Sequence, residues 1–288
     1  MAFAIINGLT TAMAVFLVAA GLTLMFGILR VLNFAHGAFF MIGAYVAWSL
    51  LGDAPDSLAA FIGGALGAAA LVGALGLVVD QLVLRRLRHV DEHYMLIATF
   101  AVLLICVGVA KMIWGMDFHS ADPPPFLDGG VAIAGLFLPK FSLFVIATGF
   151  VVFLALEIAI HRLWLGKMVT ALAADGWMAN LLGVNVPLGT TLSVVASFAL
   201  AGLAGGLLLP NQALSPALGD TYLLLAFTAV IIGGLGNVRG AFIASILLGM
   251  IESFNALLLP NLPGLAVYLG MIAFLLLRPN GLFGASAS

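Results

Sequence analysis

The chain has 288 residues, of which 64% are hydrophobic and only 8% charged, with a formal net charge of −2. A soluble domain carries about 25% charged residues, so that class is excluded, and ten Lys and Arg residues are too few for a nucleic-acid binder. The single cysteine, Cys106, excludes a disulfide framework and a cysteine-based metal site.

Mean hydropathy is +1.25, and apolar stretches long enough to cross about 30 Å of hydrocarbon recur along the chain. They are continuous rather than alternating with period two, which selects helices over a β-barrel. The expected fold class is all-α: a polytopic transmembrane helical bundle forming one domain over residues 1–288. Met1-Ala-Phe-Ala-Ile-Ile lacks a basic n-region and a cleavage site and reads as the beginning of a retained first helix. Nine spans follow from hydropathy, at about 3–29, 32–51, 58–84, 94–114, 141–161, 187–209, 221–236, 240–259 and 264–277. The range is eight to ten, a tenth requiring a re-entrant hairpin.

Alternating crossings put Arg30, Arg85, Arg86, Arg88, Arg162, Lys167, Arg239 and Arg278 on one side, and only Lys111 and Lys140 towards the other. The opposite connections carry Asp53, Asp56, Asp117, Asp122, Asp128 and Asp220. The excess of base marks the cytoplasmic side, so the N-terminus is expected outside and the C-terminus inside. The long outer connection at 115–140 contains Pro123, Pro124 and Pro125, which forbid a helix; it reads first as a stiff connector and second as a docking surface. Glycines 63, 64 and 67, then 73 and 76, then 202, 205 and 206 form small-residue patterns that let helices approach closely in lipid.

The stretch "KMVTALAADGWMANLLGVNV", residues 167–186, interrupts this apolar chain on the cytoplasmic side. Asp175 is placed to cap a short helix, and Gly183 to end it in a left-handed conformation. Between them Trp177, Met178, Leu181 and Leu182 offer an apolar face beside Asn180. Such a face rests either in the lipid interface or in a cleft of a soluble partner.

"INGLTTAMAVFLVAAGLTLMFGILRVLNFAHGAFFMIGAY" at 6–45, "GGLGNVRGAFIASILLGMIES" at 233–253 and "RPNGLFG" at 278–284 resemble the permease subunits of bacterial ATP-binding-cassette importers of the branched-chain amino-acid type. The resemblance covers nearly the whole chain. It implies a multi-pass inner-membrane protein partnered by a second homologous permease subunit, two cytoplasmic ATPase subunits and an extracytoplasmic solute-binding protein. It also implies that 167–186 couples to the ATPase, with Asp175, Trp177, Met178, Leu181 and Gly183 as contact or shaping residues. Two departures stand out: Ala174 replaces the family's acidic residue before Asp175, and Ala12, Met13 and Val15 replace small-polar and tyrosine positions of the first helix. Relatives carry branched-chain and other neutral amino acids, amides, urea or small carboxylates.

No G-x-x-x-x-G-K-[ST] motif occurs, and "LGKM" at 165–168 lacks its glycine and hydroxyl positions. The chain is thus expected to be no enzyme and to bind no cofactor, with ATP and Mg held by partner subunits. No histidine has a carboxylate–hydroxyl partner set in the sequence. His89 and His93 have metal-pair spacing, but Asp91 and Glu92 beside them favour a solvated charge cluster.

"NFAHGAF" at 33–39 is echoed by "NVRGAFI" at 237–243, both at expected cytoplasmic turns. The first reading is two similar capped turns. The second is a gate at the inner mouth, using Asn33, His36, Gly37 and Arg239. Among carboxylates inside spans, Asp80 lies near Arg85, and Glu157 one turn from His161. Glu252 sits about midway through span eight with Ser253 and Asn255 nearby, as a pathway group or a helix-locking hydrogen bond. Two rival readings remain: a solitary secondary transporter with Glu252 as its coupling acid, and a passive channel with a polar lining.

Overall fold

The structure, a computed structural model, describes residues 1–88, 90–133, 136–258, 260–262, 264–278 and 281–283. It contains α1 (Ala2–Leu29), α2 (Ala35–Leu51), α3 (Leu58–Leu87), α4 (Glu92–Trp114), β1 (Gly130–Ile133), β2 (Leu136–Pro139), α5 (Lys140–Arg162), α6 (Trp164–Ala174), α7 (Gly176–Leu181), α8 (Val186–Leu207), α9 (Leu218–Gly233), α10 (Val238–Leu258) and α11 (Leu265–Leu277). Every expected span is a helix, with ends within three residues of the sequence reading.

Six of these helices are long and apolar enough to cross a membrane: Phe3–Leu29 of α1, then α3, α4, α5, α8 and α10. By contrast α2, α9 and α11 have 17, 16 and 13 residues. At 1.5 Å per residue they reach about 26, 24 and 20 Å, short of the hydrocarbon thickness. The chain is a polytopic helical membrane protein in which long and short helices are mixed.

The long α1 is the hub, packed against α5, α8, α9 and α10, while α8 is pressed between α1, α2 and α3. Small residues make these approaches possible, as packing rather than hydrophobicity must hold helices together in lipid. A Cβ added at Gly202 would lie 2.7 Å from Val72 Cβ, and one at Gly205 would lie 2.2 Å from the Phe40 carbonyl oxygen. Gly64, Gly73, Gly76 and Gly206 are likewise packed, whereas nothing lies within 4 Å of a Cβ built at Gly63. Gly63 therefore belongs to an open face, not to the expected close-packing pattern.

Contacts sort the connections onto two ends of the bundle. At one end Trp114 Nε1 donates to Ser49 Oγ at 2.8 Å, Asp122 N donates to Asp53 O at 2.7 Å, and His119 pairs with Leu214 through both backbone groups. The connector after α4 is thus laced across the ends of α2 and α3. It also holds the β1–β2 hairpin, paired from Gly130↔Pro139 to Ile133↔Leu136, which the proline-rich sequence did not announce. The other end gathers Arg30, the α5–α8 connection, Arg239 and Arg88.

Candidate functional site

The segment 167–186 folds as a helix–cap–helix unit. Its first half, α6, keeps Met168 and Leu172 buried with Ala179 of α7 in a small apolar cluster, against which Val184 and Val186 pack. Asp175 then leaves helical geometry, and one carboxylate oxygen accepts from Trp177 N at 2.9 Å and Met178 N at 3.0 Å, satisfying the free donors of a helix start. At the far end Gly183 has φ +83°, with Gly183 N donating to Asn180 O and Val184 N to Ala179 O, each at 3.0 Å. That 5→2 and 6→1 pair is a Schellman stop. Asn185 caps α8 through Leu188 N at 3.1 Å.

Six residues of helix and the C-cap Leu182, fixed at both ends, expose Trp177, Leu181 and Leu182 by 69%, 61% and 78%, with Met178 beside them. The apolar face expected from the sequence is therefore present and outward. The sequence did not reveal what anchors it. Arg30, at the end of α1, donates from Nη2 to Ala173 O at 3.0 Å and is the one non-glycine residue with positive φ among the described residues, at 54°. A cavity of about 450 Å³ lies between this arginine, Asp175, Gly176 and the start of α8.

Asn33, His36 and Gly37 come together, but deeper than a surface turn. Asn33 Oδ1 accepts from Ala35 N at 3.0 Å, and His36 Nε2 donates to Val18 O at 2.9 Å. Val18 lies eleven residues before the end of α1, about 16 Å along its axis. So α2 starts inside the bundle, and the expected cytoplasmic turn is corrected to a partial re-entry. The carbonyl partner makes Nε2 the protonated ring nitrogen, and Nδ1 is a buried acceptor with no partner among the described residues.

Here α2 crosses α9 at closest approach. A Cβ at Gly37 would sit 2.5 Å from Gly219 O, and one at Gly219 would sit 2.6 Å from Gly37 O. Because Gly219 is the second residue of α9, this helix too begins within the bundle. Asp220, expected on the outer connection, lies instead in its first turn. Two short helices thus meet by their N-terminal ends, with aromatic pairs Phe34–Phe227 at 5.4 Å and Phe40–Tyr222 at 5.0 Å beside the crossing.

The remaining expected residues are elsewhere. Arg239 is not beside His36: its guanidinium bonds Glu157 of α5, with Nε to Oε1 at 2.7 Å, and His161 Nδ1 lies 3.3 Å from the same oxygen. The echo of the first turn holds locally, since Asn237 Oδ1 accepts from Gly240 N at 3.0 Å and a Cβ at Gly240 would meet Gly233 O. Asp80 pairs with Arg88 rather than Arg85 and accepts from Thr191 Oγ1 at 2.6 Å, within a π-helical turn, Asp80–Leu84. Glu252 is not midway: Ser253 Oγ beside it donates to Ala4 O at 2.7 Å, so it lies near the N-terminal end of α1. Asn255 Nδ2 donates to Leu262 O at 3.0 Å and closes the α10–α11 turn. Neither neighbour bonds Glu252. His89 falls outside the described residues; His93 bonds Asp91, and its backbone N–H and ring together hold the Asp91 carboxyl below the usual range.

The chain is 30% identical to the high-affinity branched-chain amino acid transport system permease protein BraD of Pseudomonas aeruginosa, over 97% of its own length and 94% of that relative's. It is 29% identical to the corresponding permease protein LivH of Escherichia coli over 96% and 94%. Identity to the probable permease LivH of Methanocaldococcus jannaschii is 32% over 93% and 88%. No solved structure matches. The family described as branched-chain amino acid transport system, permease component, matches residues 4–277, a span holding the capped segment and the crossed helices alike, and the chain belongs to that family.

Proposed function

We propose that the chain is the membrane-spanning permease subunit of an ATP-driven importer of branched-chain or related neutral amino acids, working in the inner membrane. It pairs with a second homologous permease, two cytoplasmic ATPase subunits that hold ATP and Mg, and an extracytoplasmic binding protein. All nine apolar segments, long and short, cross or enter the bilayer, the N-terminus lying outside and the C-terminus in the cytoplasm. The end carrying Arg30, Arg88, Arg162, Lys167 and Arg239 is then the inner one, as the excess of base requires.

The observation that carries this reading is the doubly capped α7, which holds Trp177, Met178, Leu181 and Leu182 outward on a short rigid unit. Bulky apolar anchors on a fixed helix are what a cleft on a partner recognises. ATP-driven closure of the partner moves α7, and α6 and Arg30 pass that displacement to the end of α1. The crossing at Gly37 and Gly219 is the constriction that must open for substrate to pass, and His36 contributes an unpaired acceptor next to it.

The test is copurification of the tagged permease, coexpressed with its partner subunits, as wild type and as Asp175→Arg plus Leu181→Asp. ATPase subunits should accompany the wild type and be lost from the variant. A permease that transports alone without nucleotide, and loses coupling in Glu252→Gln, would replace the importer with a solitary carrier.

A further inference from the structure

We propose that the cavity between α1, α5, α6 and the start of α10 binds a compact zwitterion, its carboxylate on Arg239 and its ammonium on Glu157, and that occupancy slows the importer from the cytoplasmic side. The inference rests on the importer reading for the direction and consequence of binding, and on the cavity's own chemistry for the ligand class.

The cavity measures about 290 Å³, or about ten water volumes at roughly 30 Å³ each. That suits a molecule of about nine heavy atoms and lies at the lower edge of the usual range of ~300–1,000 Å³ for ligand sites. One wall is apolar, made by Leu24, Ile160, Val169 and Val238, a lining that suits an aliphatic side chain. The polar wall is an ion pair used on one side only. Glu157 Oε1 takes the contacts from Arg239 and His161, while Glu157 Oε2 and Arg239 Nη1 have no protein partner among the described residues.

An arginine fork with a free arm suits a carboxylate, and the free carboxylate oxygen suits an ammonium. A purely anionic ligand would meet Glu157 and a purely cationic one Arg239, so only a molecule carrying both charges gains from both. The pair is partly exposed, 59% at Arg239 and 21% at Glu157. Pairs of this kind contribute little by themselves, and a ligand can insert its own charges without dismantling the fold. The Thr170 hydroxyl spends its proton on Gly166 O at 2.9 Å and keeps acceptor capacity for the ammonium.

Position supplies the consequence. Val169, Thr170 and Ala173 line the cavity from α6, and α6 runs directly into Asp175 and the exposed α7. A ligand spanning α5, α6 and α10 ties α6 to the bundle, so the arrangement that must change in each cycle is held. Amino acid accumulating inside would then restrain further import. An aminophospholipid headgroup shares the chemistry, an anion and an ammonium a few bonds apart, but the short apolar wall favours a free amino acid.

The test uses the assembled importer in phosphatidylcholine nanodiscs without binding protein, titrated with radiolabelled L-leucine by equilibrium dialysis. One saturable site per permease is expected, weakened at least about tenfold by Arg239→Gln and by Thr170→Phe, which fills the cavity and leaves the ion pair intact. Leucinamide and N-acetylleucine, each lacking one charge, should compete at least about tenfold less well. In proteoliposomes, leucine loaded on the cytoplasmic side should slow uptake by wild type but not by Thr170→Phe. Absence of saturable binding, or binding unchanged in Thr170→Phe with assembly preserved, overturns the proposal. Discs containing phosphatidylethanolamine separate the two sources: unchanged leucine affinity supports the free amino acid, and loss of it assigns the site to lipid. Failure of the ATPase subunits to associate would sink the importer reading and the consequence for uptake; the site itself is then judged by the same leucine titration on the permease alone in nanodiscs, so the two failures are distinguishable.

Discussion

Replacing Gly37 or Gly219 by alanine tests the helix crossing directly. The new Cβ at Gly37 would sit 2.5 Å from Gly219 O and 2.8 Å from Leu223 Cβ, against an ordinary carbon–oxygen contact of about 3.3 Å. The obstacle is a backbone carbonyl, so α2 and α9 must part by about 0.8 Å or bend. Overpacking of this kind costs about 1–3 kcal/mol, offset in part by the ~0.5–1 kcal/mol that alanine gains over glycine within a helix. A net loss of about 1–2 kcal/mol per substitution is expected. The double variant should lose much less than the sum, because one separation relieves both clashes, each Cβ being aimed at the other residue's carbonyl. Denaturant unfolding of the detergent-solubilised permease, followed by tryptophan fluorescence, reads these values. Gly63→Ala is the control, since its Cβ meets nothing within 4 Å, and it should be at least as stable as wild type. Gly37→Ala as stable as Gly63→Ala, or a fully additive double variant, would refute the crossing.

Other changes bear on the capped segment and its supports. Asp175→Ala removes both acceptor contacts at the start of α7 and should destabilise that turn by about 1 kcal/mol, seen as faster amide exchange at Trp177 and Met178 and weaker ATPase copurification. Gly183→Ala forces a side chain to φ +83° and should likewise loosen α7 by about 1 kcal/mol without altering the rest of the bundle. Asp80→Asn leaves Arg88 without its counter-charge and should cost about 3–5 kcal/mol, whereas Asp80→Asn with Arg88→Met should recover most of it; a thermal-shift double-mutant cycle measures the difference. Arg30→Gly relieves the left-handed backbone at residue 30 but loses the bond to Ala173 O, so the permease should fold and bind its ATPase while uptake per ATP hydrolysed falls.

Hydropathy located every long helix because apolar length is a property of local sequence. It did not report depth. Residues 32–34 read as part of a span, yet α2 begins at Ala35, beside the middle of α1; the partners that permit such a start are the Val18 carbonyl, the Thr99 hydroxyl and the Phe227 ring, all distant in the chain. The same blindness applies to charge partners. Glu157 and Arg239 are 82 positions apart, so the nearer His161 was the candidate that spacing offered; Asp80 takes Arg88, eight positions on, rather than Arg85, and its second partner, the Thr191 hydroxyl, is 111 positions away. The caps of α7 were legible because Asp175 and Gly183 act on backbone within three residues of themselves. The β1–β2 hairpin escaped notice since its strands have no polar alternation and follow three prolines.

The path from the exposed face of α7 to the crossing is short in covalent terms, and that bears on how a displacement could reach the middle of the membrane. Ala173 O, at the end of α6, is held by Arg30, and Arg30 is followed within seven residues by Gly37. The intervening turn is not slack: Arg30 N bonds Phe26 O at 2.9 Å, His36 N bonds Asn33 O at 3.2 Å, and Phe34 N bonds Thr99 Oγ1 at 3.3 Å. A pull on α6 therefore acts on a stiff hook whose far arm is the first turn of α2. That arm abuts Gly219 with no side chain between the backbones, so a movement of under 1 Å changes the contact from closed packing to a gap. Close packing makes such an interface bistable rather than gradually deformable. An importer that opens at this point would need glycine at both positions for the closed state, and an arginine able to hold a left-handed turn for the link.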